Sequence, residues 1–410
     1  MHDTNAAIDK PWLSHKDWNS RIIHSDAKDL LYGVWILMIL WNLISIPAAT
    51  FAISKALNNG NDALWFVAIF PIIGIGILFW AIKTTHLWRV IGAAPLTMDP
   101  YPGSIGGQVG GSIELNIPYG SQLRFPLSLN CLCLHEDPGS DFDRTDNKWQ
   151  TEGFAHAEPS GAGTRLNFCF NVPANLPESE YKSKNYHMWQ LNLKGHQAAV
   201  NIERNFNLPV FNTQEQSQYI HIDSGNNPQV QQESEARIQS VVTMTQIPGG
   251  IELFNHAGHL AATKLAFTVF GLFFFVFGII ASILSKTLMI PVIFVLIGAG
   301  ISLGSFYSLL NTLQVRIGQQ GLHTRRRLLG FIIGQHSIAA AEIKELHLHD
   351  GGSVNNGTEH KNFFSVKAHL RNGEKITIAK NLLGQATAAL AAEKIARLSG
   401  FCLCPFQTEK

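Results

Sequence analysis

Four stretches of this 410-residue chain, residues 30–53, 63–82, 265–284 and 288–310, contain no charged side chain. A helix rises 1.5 Å per residue and a hydrocarbon core is about 30 Å thick, so each stretch is long enough to cross a bilayer. A short polar connector, SKALNNGND, separates the first two, and only Ser285, Lys286 and Thr287 separate the last two. This spacing predicts four membrane helices arranged as two hairpins, 30–82 and 265–310, with most of the chain outside the lipid.

The basic residues next to these stretches predict which side the rest occupies. Lys10, Lys16, Arg21 and Lys28 precede the first span, and Lys83 and Arg89 follow the second. Lys264 precedes the third span, and Arg316, Arg325, Arg326 and Arg327 follow the fourth, whereas the connectors offer only Lys55 and Lys286. Lys and Arg in short flanks are retained on the cytoplasmic side. The expectation is an inner-membrane, multi-pass protein with both termini, the segment 1–29 and the central region in the cytoplasm. No short apolar core with a small-residue cleavage site precedes the first span, so that span is expected to act as the membrane signal.

The cysteines agree with a reducing compartment. Cys131 and Cys133, like Cys402 and Cys404, are Cys-x-Cys pairs, and Cys169 leaves an odd number. Near neighbours on one strand face are poorly placed to bridge each other, and the pairs lack the loop spacing of structural zinc sites. They read as small buried apolar residues, with no metal and no cofactor expected. A net charge of +1 provides no basic face for a duplex, so nucleic acid is not an expected partner.

From about residue 95 to 211 the pattern becomes short runs of period-two alternation between Pro, Gly, Asn and Asp clusters, which predicts an all-β sandwich. SIELNI, LSLNCLCL, RLNFCFNV and HMWQLNL are its clearest strands. Residues 212–235 are rich in Gln, Asn and Ser and are read as a polar linker unable to bury enough surface to order itself. Residues 236–258, with VVTMT, IPGG and IELF, read as a β-ribbon that needs a sheet to join, and the C-terminal unit is its expected partner. In residues 311–404, strand-like runs at 313–317, 327–333, 343–348, 363–370 and 375–379 precede a helix expected over 382–399, with Gly400 at its C-cap. Strands closed by one amphipathic helix make a small α+β unit.

Three stretches carry a resemblance. The central region, through GGSIELNIP, FPLSLNCLCL, RLNFCFNVPANLPES, YHMWQLNL and FNLPVF, resembles an arrestin-type half-sandwich. The C-terminal unit, through GLHTRRRLLG, AAEIKELHL and FSVKAHLRNGEKITIA, is similar to bacterial pleckstrin-homology-like domains. With PWLSHKDW before the first span and LYGVWILMILWNLIS within it, the whole arrangement resembles a family of bacterial multi-pass membrane proteins of unknown function. These likenesses imply modules that bind protein or lipid rather than turn over a substrate.

The candidate sites are few. The glycines of PGSIGGQVGG lack the Lys-Ser/Thr and the following helix of a phosphate loop, and read as a turn and bulged strand. His347 and His349, with Asp350 beside them, share a strand face and would ligate a metal if a third ligand converged; none is visible in the sequence, which favours a solvent-facing strand. No linear motif of the common hydrolases is present. Asn42 is the main polar residue within the spans and reads as a link between helices. Gly300 and Gly304 put small residues one turn apart, a face expected to pack within a four-helix bundle or to support a homo-oligomer. Arg325, Arg326 and Arg327 lie close enough to the membrane to touch anionic headgroups. The expected function is a non-catalytic scaffold that presents its cytoplasmic domains to a protein partner. A channel or transporter regulated by those domains is the alternative, followed by a membrane-bound hydrolase.

Overall fold

The computed structural model describes residues 10–59, 67, 69–135, 144–197, 200–255, 261–284, 289–329, 331–355 and 360–404. Residues 63–66 and 68 of the second expected span, residues 256–258 of the ribbon, and Ser285, Lys286 and Thr287 lie outside the described residues.

Helices α1 (Ala27–Asn59) and α2 (Ile69–Ile91), and later α4 (Ala261–Leu284) and α5 (Met289–Leu310), are long and apolar enough to cross a membrane. Their apolar side chains are largely exposed, Ile44 at 71% and Phe79 at 72%, as suits surfaces solvated by lipid. Polar bonds join α1 to α2 at three levels. Trp35 Nε1 donates to Thr85 Oγ1 (3.0 Å), Trp41 Nε1 to the Phe70 carbonyl (2.9 Å), and Asn42 Nδ2 to the Gly74 carbonyl (3.4 Å). The α4–α5 pair closes by backbone approach: a Cβ on Gly271, Gly278 or Gly298 would collide with the facing helix. A Cβ on Gly300 or Gly304 would meet nothing within 4 Å. Within this chain the close approach at that helix pair falls to Gly271, Gly278 and Gly298 rather than to Gly300 and Gly304. Among the described residues the two helix pairs make no extensive contact.

The sandwich follows α2. Its strands are β1 (Ile22–Ile23, ahead of α1), β2 (Leu96–Met98), β3 (Gly103–Ser104), β4 (Gln108–Leu115), β5 (Pro126–His135), β6 (Arg144–Phe154), β7 (His156–Ser160), β8 (Gly163–Asn171), β9 (Asn185–Gln197), β10 (Val200–Leu208) and β11 (Val210–Phe211). Two antiparallel sheets, ordered β1-β2-β4-β8-β7 and β10-β9-β5-β6, enclose a core that includes Trp189, Phe168, Phe170 and Phe206. Alternation produces this arrangement: in β8 the apolar Leu166, Phe168 and Phe170 point inward. Trp12 and Trp18, from short 3-10 turns ahead of β1, join the same core. The sandwich is tied to the helix ends by Arg204, whose Nη2 donates to the Gly92 carbonyl (3.1 Å), and by the Asp26 N–H, which donates to the Asn205 carbonyl (3.2 Å).

The expected linker is structured. Residues 212–227 lie along the sandwich through hydrogen bonds: the Glu215 N–H donates to Ser104 Oγ, the Ser217 N–H to Gln108 Oε1, and the Ser224 N–H to the Cys169 carbonyl. Residues 228–235 begin helix α3 (Pro228–Val241). Asn227 Oδ1 accepts from the Gln229 N–H (2.9 Å), and Pro228 occupies the first turn, where its missing N–H costs nothing. Strands β12 (Val242–Ile247) and β13 (Gly250–Asn255) follow directly.

β14 (Asn311–Gly318) starts at the residue after α5 and pairs with β13, Leu253 opposite Val315. The helices α4 and α5 are thus inserted between neighbouring strands of one sheet, ordered β12-β13-β14-β15-β16 with β15 (Gly321–Leu328) and β16 (Phe331–Ile338). The expected strand at 327–333 is corrected to a turn at Leu329, whose φ of 52° ends β15. A second sheet of β17 (Ile343–Asn355), β18 (His360–Leu370) and β19 (Lys375–Leu383) shares one core with α3 and α6 (Gln385–Ser399). The expected helix start at 382 is also corrected, because Leu382 and Leu383 complete β19 and Gly384 turns the chain at φ 85°. Gly400 caps α6 in the left-handed conformation, its N–H donating to the Ala396 carbonyl (2.9 Å).

Candidate functional site

β6 is an edge strand of the sandwich, and an open edge carries unpaired backbone donors. Here the C-terminal unit occupies that edge with side chains. The Gln150 N–H donates to Gln385 Oε1 (3.0 Å), and the Asn147 N–H donates to the Asp350 carboxylate, which also accepts from the Gly352 N–H (2.8 Å). Asn362 Nδ2 donates to Gln150 Oε1 (3.1 Å), so β18 reaches β6 as well.

At the centre of this joint is Glu152, whose side chain is 14% exposed. Arg237, on α3, donates from Nη1 to Glu152 Oε2 (2.7 Å) and from Nη2 to Glu233 Oε2 (3.2 Å). Burial pushes the Glu152 carboxyl up, against the opposing pull of the Arg237 guanidinium and of its hydrogen bond. Burial also raises Asp350, with the two backbone donors working the other way. A cavity of about 50 Å³ lies beside Glu152, lined by Asn192, Lys194, Arg237, Asn362 and Gly384. Gly384 has to be glycine on two counts: its φ is left-handed, and a Cβ there would strike the Glu152 carboxylate.

A second feature lies at the membrane end of the C-terminal unit. In register, Asn311 faces Leu328, Thr312 faces Arg327, and Leu313 faces Arg326. The turn after Leu328 is therefore level with the end of α5. Around it Leu329, Phe331, Ile332 and Ile333 are exposed at 64%, 77%, 54% and 49%. Consecutive strand residues point to opposite faces, so this tip is apolar on both sides. Arg326 is exposed, with Arg325 and Arg327 half-buried. Lys380 sits in the same positive field: burial holds its ammonium down, and Lys264 and Arg326 add to the effect.

The structure separates some sequence candidates and joins others. Asn42 bonds across to α2, while Gly300 and Gly304 face open space. Asp350 turns to the joint, away from the role considered for it beside His347 and His349. Cys131, Cys133 and Cys169 are buried, and burial pushes the Cys131 thiol up to about 12; Cys402 is exposed and Cys404 half-buried. Sequence reading missed Glu152, Arg237 and Gly384. Arg237 and Glu233 stand four residues apart after an Asn-Pro helix start, which was the available signal.

No family model matches this chain, and no curated protein does. Among solved structures it is similar to the crystal structure of Spo0M, a sporulation control protein from Bacillus subtilis. That match has 8% identity over 60% of this chain and 89% of that chain, with a TM-score of 0.20. A likeness at that level carries no argument about fold or function.

Proposed function

We propose that this protein is a membrane-anchored, non-catalytic scaffold. Its sandwich and C-terminal unit form one platform on the cytoplasmic side of an inner membrane and present their outer faces to a protein partner. The observation that carries this reading is the joint at β6, where five side chains, Glu152, Arg237, Asp350, Asn362 and Gln385, bind the two units across an edge that would otherwise be free. A fixed relative orientation serves presentation of a composite surface, because a partner then meets both units without the entropy cost of ordering them.

The apolar tip at Leu329 to Ile333 gives the platform a second hold on the bilayer. A strand apolar on both faces is stabilised by immersion in the interfacial region, with Arg325, Arg326 and Arg327 at the headgroups, each basic residue contributing about 1 kcal/mol near an anionic surface. The Lys and Arg bias around the spans supports the cytoplasmic placement. The resemblances to arrestin-type and pleckstrin-homology-like modules support binding rather than turnover.

A photo-crosslinking residue at the exposed positions Tyr119 and Tyr181 tests the scaffold directly in cells. The expected result is a discrete protein adduct that weakens when Gly384→Val disrupts the joint. Ion flux or hydrolysis by the purified protein in liposomes, with no adduct, would favour the channel or hydrolase reading instead.

A further inference from the structure

The third ligand that His347 lacks in the sequence is supplied from 57 positions further on. Residues 401–404 return to the free edge of β17 through a single parallel bridge: the Leu346 N–H donates to the Cys402 carbonyl and the Cys404 N–H to the Leu346 carbonyl, both at 2.9 Å. Leu346 and Leu403 are bridge partners and both pack on the core, so alternation puts Glu345, His347 and Cys404 together on the opposite face.

The Glu345 carboxylate, a His347 ring nitrogen and the Cys404 Sγ all lie within 4.8 Å of one another. His347 Nε2 is 3.1 Å from Glu345 Oε1, an oxygen that also pairs with Lys344 Nζ at 3.0 Å, so an ion entering the site would replace these contacts. An imidazole nitrogen, a carboxylate oxygen and a thiol sulfur are donor types of transition-metal sites, and β17 and the 401–404 segment bring one of each together. His369 stacks on His347 with ring centroids 3.8 Å apart, and its Nε2 is 2.7 Å from His349 Nε2, so two further imidazoles stand beside the three donors.

We propose that Glu345, His347 and Cys404 bind one divalent transition-metal ion that pins residues 401–404 to β17. One thiolate, one imidazole and one carboxylate select zinc over magnesium or calcium, which take oxygen donors. Tetrahedral zinc, at about 2.0 to 2.3 Å from each donor, needs donors about 3.5 Å apart; Glu345 Oε1 and His347 Nε2, at 3.1 Å, are already near that spacing, and no donor pair lies beyond 4.8 Å. Binding displaces the Cys404 thiol proton to solvent, so apparent affinity rises with pH. The ion staples residues 401–404, which two backbone hydrogen bonds alone would hold weakly.

The full-length protein in detergent, stripped with chelator and dialysed against zinc, should retain one zinc per chain by elemental analysis. His347→Ala and Cys404→Ser should each weaken zinc binding at least tenfold, and Cys402→Ser should leave it unchanged. With cobalt(II) as the probe, a thiolate-to-metal charge-transfer band should appear in the parent and in Cys402→Ser, and be lost in Cys404→Ser. Zinc bound equally by Cys404→Ser, or a parent that retains no more zinc than His347→Ala, overturns the proposal.

Discussion

Replacing Arg237 by Met removes the cation that faces Glu152 while keeping most of the volume of the side chain. In the native joint Arg237 Nη1 lies 2.7 Å from Glu152 Oε2, and burial already pushes the Glu152 carboxyl above its ordinary value. Without the guanidinium the carboxyl rises further. A carboxyl whose folded value is raised leaves the closed joint unpenalised at low pH, where it is protonated in both the closed and the opened state. Stability is then lost as pH climbs from the ordinary carboxylate value, about 4.3, towards the raised one, and the loss is complete above it. Removing one partner of a buried pair costs about 3 to 5 kcal/mol. Glu152 keeps the Gln150 Nε2 contact at 3.3 Å and is 14% exposed, which places the cost near the lower end, about 3 kcal/mol. That corresponds to about a hundredfold rise in local opening. Hydrogen exchange of the Gln150 and Asn147 amides, both donated across the joint, reads this opening in lipid nanodiscs once intrinsic rates are corrected. Protection should fall about a hundredfold at pH 8 and only slightly near pH 4. A loss equal at both pH values would refute the reasoning, since it would trace to packing rather than to an uncovered carboxylate.

Other perturbations follow from the same contacts. Phe331→Glu should lift the tip of the C-terminal unit from the bilayer, with a loss of about 1.5 to 3 kcal/mol of apolar burial; a fluorophore at position 329 should lose quenching by lipid-borne quenchers. Gly298→Leu, whose side chain would collide with the Phe275 backbone, should lower the onset of thermal aggregation in detergent, whereas Gly300→Leu should leave it unchanged. Gly384→Ala should open the joint without altering the helix pairs, visible as faster exchange in β6 and in the first turn of α6 alone.

The four apolar helices and the antiparallel sheets were legible because lipid and strand pleat each impose a pattern on neighbouring residues. About twenty uncharged positions mark a span wherever they occur, and RLNFCFNV alternates in the sequence as β8 alternates in the sandwich. The polar stretch 212–235 was misread because its order comes from hydrogen bonds to backbone and from a capped helix. Hydropathy weighs neither, although Asn227 and Pro228 were visible. The Gly300 and Gly304 spacing was a true small-residue face whose direction no local pattern sets. Gly298, two residues earlier, is the one that meets α4. Glu152 with Arg237, and Cys404 with His347, are separated by 85 and 57 positions, so only the folded chain brings them together.

The central claim is that the two β-rich units form one platform. With Cys402 and Cys404 replaced by Ser and the three remaining thiols buried, spin labels at Lys182→Cys on the sandwich and Glu393→Cys on α6 report the distance across the joint. Double electron–electron resonance in lipid nanodiscs should give a single narrow distance distribution that broadens in Arg237→Met at pH 8. A broad distribution in the parent protein would contradict the account, because the units would then move independently and could not present a fixed composite surface.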